Sequence, residues 1–366
     1  MEELPVGTLV SILGLGLGLI LGFTVQRTNF CTMGALSDVV FMGDWNRMRS
    51  WLLAIAVAIL GSQALQASGA VDLTEAIYLS PNLGWAGAII GGLIFGFGMT
   101  LCGGCGTKTL VRFGAGNLKS VVVALFLGIF AYMTLRGLLG LARVQLESLT
   151  MIDLEARGMA TQAIPDALTA LGLPAQAALP LTIAVIAGGM LWFCFKCPAF
   201  RESRRDIAAG LIVGALIPAA WYVTGVIGYD DFDPVPLASL TFVSPVGESL
   251  QYLMTFTGAT INFGISVVGG VILGSFIAAM TVGEFRLEAF SDKDDMARHM
   301  VGGALMGTGG IMALGCTIGQ GISGMSTLAL GSVIALLSII GGAVLGFRYL
   351  EEGSLAAIFS ARSSDS

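Results

Sequence analysis

Residues 84–101, GWAGAIIGGLIFGFGMTL, run without one charged side chain, and stretches like it recur from end to end of the chain. No other feature limits the fold so tightly. A helix needs ~20 mostly apolar residues to cross a bilayer, whereas a tilted strand needs only ~9–11. Inside hydrocarbon every backbone N–H and C=O must find a partner within the structure, which leaves helices or closed barrels. Runs of this length are helical, so the chain reads as an all-α polytopic membrane protein. Charged residues make up 11% of the 366, against ~25% in soluble domains, and no sizeable soluble domain is expected. About nine transmembrane helices are expected, near 7–24, 51–68, 84–101, 119–139, 180–195, 207–228, 258–281, 300–314 and 327–347. The segment 28–42 is apolar but short and reads as re-entrant or interfacial, and 141–178 reads as one long amphipathic loop. The opening MEELP lacks the positive charge of a cleaved signal peptide, so the first span is expected to stay.

Charge sets the expected orientation, because short cytoplasmic loops collect Lys and Arg. Arg47 and Arg49 sit in one loop, and Lys196, Arg201, Arg204 and Arg205 in another. By contrast, Asp230, Asp231, Asp233 and Glu248 lie in a stretch free of Lys and Arg. Nine spans with the 196–205 loop inside place the N-terminus outside (periplasmic) and the C-terminus inside (cytoplasmic).

The chain also repeats itself. Shifted by 211 positions, Gly91, Gly92, Gly96, Gly98, Gly104 and Cys105 fall on Gly302, Gly303, Gly307, Gly309, Gly315 and Cys316. A fainter match at a shift of 252 pairs Gly18, Ile20, Leu21 and Gly22 with Gly270, Ile272, Leu273 and Gly274. The difference, 252 − 211 = 41, is about one span and its loop. A second copy short of one span would turn its cysteine loop to the opposite face. Two degenerate, inverted repeats that meet near the midplane at broken helices are a transporter signature. The expected division is 1–140 for the first membrane repeat, 141–257 for the connecting loop and linking helices, 258–350 for the second repeat and 351–366 for the tail.

Glycine beside each repeated cysteine permits the backbone angles that break a helix, and such backbone is tolerated at membrane depth only where it is buried or lines a cavity. Cys105 and Cys316, with Gly104 and Gly315 before them, are therefore candidates for a lined path. Cys31 joins them, in a stretch where Gln26, Arg27, Thr28 and Asn29 interrupt an apolar run. Arg27 reads either as snorkelling to the membrane edge or as part of a substrate path. Thiols are soft, weak S–H donors, and three of them at successive depths offer stepping points that release as readily as they bind. Cys102 reads as packing. Cys194 and Cys197 form a C-x-x-C without a second pair, and His299 is the only histidine, so a zinc site is poorly supplied. No metal or cofactor is expected. Helix N-termini around Cys105–Thr107 and Cys316–Ile318 can present N–H groups to an anion. Asn262 and Gln320 are polar candidates for the same task or for bonds between helices. The net charge of −6 does not oppose an anionic solute, since the local field along the path is what matters. No basic patch suits nucleic acid, and no phosphate-binding loop suits ATP-driven pumping.

The stretches GFTVQRTNFCTMGALSD, IIGGLIFGFGMTLCGGCGTKTLVRFGAGNLKS, INFGISVVGGVILGSFIAAMTVGEFRLEA and VGGALMGTGGIMALGCTIGQGISG resemble the YeeE/YedE sulfur-transport family of bacterial inner-membrane proteins. The resemblance spans nearly the whole chain, and Cys31, Cys105 and Cys316 match the family's cysteine positions. It implies uptake of thiosulfate to supply sulfur assimilation, with those thiols meeting the anion in turn and no large rocking motion. A small sulfur-carrier protein of the TusA type commonly works beside such transporters. Two departures stand out. Leu314 replaces the first glycine of the second motif, and Lys108 stands where many members have glycine, either to attract the anion or as an ordinary loop charge. The alternatives are transport of another sulfur or selenium compound, and a membrane enzyme relaying electrons or persulfide through the three thiols.

Overall fold

Apolar length translates into helices. The computed structural model describes residues 5–230 and 234–353; expectations on residues 1–4, on Asp231 and Asp233, and on the tail from 354 lie outside the described residues. In chain order the main helices are α1 (Val6–Thr28), α2 (Asn46–Ala67), α3 (Trp85–Leu101), α4 (Gly106–Gly114), α5 (Leu118–Arg136), α6 (Ala175–Phe195), α7 (Arg204–Tyr222), α8 (Val243–Met254), α9 (Phe263–Val282), α10 (Lys293–Met312) and α11 (Leu330–Glu352). Among the described residues, eight helical stretches are long and apolar enough to cross a membrane, built on α1, α2, α3 with α4, α5, α6, α7, α9 and α11. The ninth expected span, 300–314, falls on α10. That helix has the length, but Lys293, Asp294, Asp295, Arg298 and His299 occupy its first turns, so only its second half is apolar.

Local signals set several ends. Asn117 caps α5, its Oδ1 accepting from the Ser120 N–H at 3.0 Å. Asn29 (φ +56°) stops α1 and Gly283 (φ +73°) stops α9, both in the left-handed conformation that ends helices. Beyond the break at Asn29 the chain resumes as Thr32–Ser37 and a wider turn, Asp38–Met42, in the segment read as re-entrant. The 141–178 connection, expected to be one amphipathic loop, opens instead on the helix Leu138–Thr150. It also carries the helix Ile164–Ala170 and a two-residue ladder in which Ile152–Asp153 pairs antiparallel with Asn82–Leu83.

Glycines decide how the helices meet. An added Cβ on Gly91 would sit 2.6 Å from the Gly309 carbonyl oxygen, and one on Gly98 would sit 2.7 Å from that of Gly302. The reverse distances, 2.5 Å from Gly309 to Gly91 and 2.8 Å from Gly302 to Gly98, tell the same story. So α3 and α10 cross backbone to backbone, running antiparallel. Under the 211-residue shift the contact of Gly91 with Gly309 becomes that of Gly302 with Gly98. Gly92 lies against the Ala335 carbonyl of α11, and Gly303 against the Val123 carbonyl of α5, each at 2.9 Å from the added Cβ. Reciprocal contacts of this kind are what a two-fold relation between copies running in opposite directions produces.

The weaker match, Gly18 with Gly270, has a different meaning. Those residues lie on α1 and α9, which pack side by side in parallel, Gly18 against Val267 and Gly270 against Leu15. The equivalent pair is α7 against α2, where Gly210 meets Ser50 and Gly214 meets Ala54. Relative to α10, α9 stands where α2 stands relative to α3. The 252 shift therefore marks a seam of small residues and not the inverted relation.

Valine at Gly98 or Gly309 drives a branched side chain into the facing backbone, at a cost of ~3 kcal/mol or more, and is expected to abolish a monodisperse, membrane-extracted protein. Valine at Gly188 or Gly189 of α6, where an added Cβ meets nothing within 4 Å, is expected to leave it intact. Size-exclusion profiles of detergent extracts decide between these outcomes, and equal tolerance at all four positions would contradict the packing.

Candidate functional site

Each of the three cysteines stands where a helix breaks inside the protein. Cys31 comes two residues after the left-handed Asn29 and immediately before the helix Thr32–Ser37. Cys105 follows the left-handed Gly103 (φ +65°) and is the N-cap of α4. Cys316 follows Leu314 (φ +57°) and precedes the wide turn Gly319–Gly324. At Cys316 the N–H three residues on faces the sulfur, whereas Cys31 and Cys105, each the residue before a helix, make no capping bond with their thiols. The Gly319 nitrogen donates to Cys316 Sγ at 3.4 Å. All three side chains are buried. Leu314 thus adopts nearly the backbone of its equivalent, Gly103, so the loop keeps its shape without the glycine, at the strain a left-handed leucine carries.

The two cysteine loops start from opposite ends of an antiparallel helix pair, yet they meet. Thr317, the residue after Cys316, rests against Cys105, and Cys105 lies beside Cys31. Lys108 completes the group. It is 8% exposed, and its Nζ donates to Asn29 Oδ1 at 2.9 Å. Among the described residues no carboxylate pairs with it. Asn29 is held on its other side by Arg47, whose Nη2 donates to the Asn29 carbonyl at 2.9 Å and whose Nη1 pairs with Asp38 at 2.9 Å. A buried ammonium whose only partner is a neutral amide is costly unless an anion joins it.

The remaining sequence candidates divide. Gly104 makes room for Lys108, because an added Cβ there would press on the lysine Cβ and Cγ at 3.3 Å, and Gly315 does the same for the Gln320 nitrogen at 3.1 Å. Gln320 is committed at both ends, with Nε2 donating to the Ala313 carbonyl and Oε1 accepting from Ser332 Oγ, each at 2.6 Å. Asn262 caps α9, accepting from the Ile265 N–H at 2.9 Å and donating to Glu248 Oε2 at 2.7 Å. It lines a separate cavity of about 240 Å³ with Glu248, Ser244 and Thr241. Arg27 is exposed on the last turn of α1, and its carbonyl accepts from Arg205. Neither Arg27 nor Gln320 offers a free group to the thiol cluster.

Two threonines escaped the sequence reading. Thr107 Oγ1 and Thr317 Oγ1 are buried without a nitrogen or oxygen partner, Thr317 meeting only the Cys105 thiol, although buried polar groups in native proteins nearly always find a partner. Both follow a cysteine within two residues in an otherwise apolar, glycine-rich loop, the one signal that could have singled them out. Together the cluster offers soft sulfurs, N–H groups at helix starts, two unpaired hydroxyls and one ammonium. That set suits a small anion with several acceptor oxygens.

Residues 27–345 match the family model described as sulphur transport. The chain is 30% identical over 322 residues to the thiosulfate transporter TsuA of Escherichia coli (strain K12), covering 84% of this chain and 86% of that protein. It is 30% identical over 325 residues to the thiosulfate transporter TsuA of Spirochaeta thermophila, covering 87% and 92%. A shorter match, 31% over 106 residues, links it to the probable transporter YedE of Escherichia coli and covers 28% of this chain and 23% of that one.

Replacing Thr317 by valine removes a hydroxyl whose one neighbour is the weakly bonding Cys105 thiol, so thermal stability is expected to hold or rise by about 1 kcal/mol. Thr224→Val is the contrast, because that hydroxyl bonds the Ala238 carbonyl at 2.7 Å, and its loss is expected to cost ~1–3 kcal/mol. Equal destabilisation in melting curves of the two purified variants would mean that Thr317 is partnered after all.

Proposed function

Because the chain belongs to the sulphur transport family, we propose that the sulfur compound it carries is thiosulfate, or a close sulfur oxyanion, passing inward along Cys316, Cys105 and Cys31 in that order to supply sulfur assimilation. The protein is a transporter and not an enzyme. One observation carries the choice of solute class: Lys108, buried beside two thiols with only an amide for a partner. Thiosulfate brings two negative charges, oxygens that accept from Lys108, Thr107 and Thr317, and a soft terminal sulfur that suits weak S–H contacts. No single contact is strong enough to hold it, as conduction requires.

The direction rests on charge. Arg47, Lys108, Arg112, Lys119, Arg205 and Arg298 gather at one end of the bundle, tied there by the contacts of Arg47 and Lys108 with Asn29, of Arg205 with Arg27, and of Lys119 with Asp295. With the basic end facing the cytoplasm, in a bacterial inner membrane, the start of α1 is periplasmic and the end of α11 cytoplasmic. A TusA-like sulfur carrier would meet the protein at that basic end. On the same reading the second copy draws on α7 as well as α9 to α11, and so begins before the expected 258–350.

Purified protein in liposomes, given radiolabelled thiosulfate, is expected to show saturable uptake. Cys31→Ala, Cys105→Ala, Cys316→Ala and Lys108→Met are each expected to lower it about tenfold or more, the scale of losing one charge-assisted or path-lining contact. A parent that is folded and inactive means thiosulfate is the wrong solute, and selenium or other sulfur anions come next. Variants that match the parent would sink the thiol path.

A further inference from the structure

We propose that the cavity bounded by α4, α5 and the start of α10 is a second anion site, separate from the thiols, that takes a tetrahedral oxyanion on Arg112. It measures about 460 Å³ and is lined by Arg112, Lys119, Arg298, His299, Glu288 and Cys102, among others.

Its charges do not balance from within. Asp295 pairs with Lys119 at 2.8 Å and with Arg298 at 2.7 Å, so one carboxylate serves two cations. Lys119 and then Arg298 beside Asp295 hold its carboxyl down at about 2, so it is ionised at any physiological pH. Glu288 accepts from the Asn117 amide and keeps its charge, so Arg112, Lys119 and Arg298 outnumber the two carboxylates, Glu288 and Asp295, by one. The Arg112 guanidinium makes no hydrogen bond or ion pair with any described residue, and with five N–H donors in a planar fork it is the side chain best shaped for a tetrahedral oxyanion.

The repeat supplies an internal control. Cys102, Gly103, Lys119 and Ser120 correspond, at shifts of 211 or 212, to Ala313, Leu314, Gly331 and Ser332. Those four residues line the equivalent cavity at the far end of the helix pair, which measures only about 30 Å³ and has no charged side chain on its wall. A basic cavity is therefore not a by-product of the fold, since the same backbone at the other end is neutral and nearly filled. Lys108 and Arg112 lie one turn apart on α4 and flank the Gly103–Gly104 bend, where an added Cβ on Gly104 would be 3.3 Å from Lys108 and 3.6 Å from Arg112 Nη1. The cavity thus adjoins the thiol cluster at this bend, with Gly103 on its wall. The role assigned to the cavity, receiving the transported anion as it leaves Lys108, rests on the function proposed above. The binding site itself does not.

Equilibrium dialysis of labelled phosphate and labelled thiosulfate against the purified full chain in detergent tests it. Both anions are expected to bind saturably, and Arg112→Gln or Arg298→Gln is expected to weaken phosphate binding about tenfold or more, as loss of a bidentate charged contact does. Lys108→Met is expected to leave phosphate binding unchanged while removing thiosulfate from the thiol cluster. No saturable phosphate binding, or equal loss in the Arg112 and Lys108 variants, overturns a separate site. Displacement of phosphate by added phosphatidylglycerol, with that lipid retained in native mass spectra of the parent and lost from Arg112→Gln, would assign the cavity to a lipid headgroup and overturn its role in release. Intact phosphate binding in a protein that transports no thiosulfate would strike the function proposed above and leave this site standing.

Discussion

Backbone contact between α3 and α10 fixes the position of everything else. Without water to hide in, membrane helices gain little from burying apolar surface against one another, and close packing takes over as the main attraction. Glycines at 91, 98, 302 and 309 let the two helices approach until carbonyl faces Cα. That approach brings the ends of both helices close enough for their cysteine loops to turn inward and touch through Thr317 and Cys105. A bulkier residue anywhere along the seam would push the loops apart and leave their non-helical backbone without the burial that membrane depth demands.

Much of this was legible in the sequence, because the same physics that shapes the fold restricts the letters. Uncharged runs gave the helices, and the 211-residue repeat gave the antiparallel pair. The 252-residue match misled because small residues at helical spacing are required wherever two helices touch, as α1 and α9 do, whatever their ancestry. Cys31, Cys105 and Cys316 were visible from their glycine and polar surroundings. Thr107 and Thr317 were not, because a threonine in a membrane helix usually satisfies itself on a carbonyl one turn back, as Thr109 does on Cys105 and Thr134 on Phe130. Nothing in the sequence distinguishes an unpaired hydroxyl from those. Arg27 showed the opposite failure: its polarity marked the edge of the apolar run, but one residue's rotation around α1 decided that it faces solvent.

The two copies share a backbone and differ in charge. Gly103 and Leu314 adopt almost the same left-handed angle, and each loop sets its buried thiol two residues beyond that turn. Yet one end carries Lys108, Arg112 and Lys119, and the other carries Gly319, Ser323 and Gly331. Cys31 also lacks a cysteine partner in the second copy, where Phe242, on the extended stretch after α7, turns its backbone to Cys316 instead. A symmetric frame thus holds a directional set of side chains. On the path proposed above, this step from a neutral end to a basic one would favour an anion moving toward the basic end.

That frame also limits how the path can open. All three thiols are buried, at 7%, 3% and 0% exposure, so passage needs some movement. Rocking one copy against the other would have to slide α3 along α10 and α11, and α5 along α10, across contacts in which backbone atoms already touch. Close-packed interfaces of this kind do not deform gradually. The loops are cheaper to move. Leu314 is 44% exposed and sits in a conformation that costs it ~1–2 kcal/mol, so a shift of its backbone releases strain and does not create it. On the other side a single charge-assisted hydrogen bond ties Lys108 to an exposed asparagine. On the proposed path, then, the loops at the two ends of the thiol cluster are held less tightly than the helices that carry them.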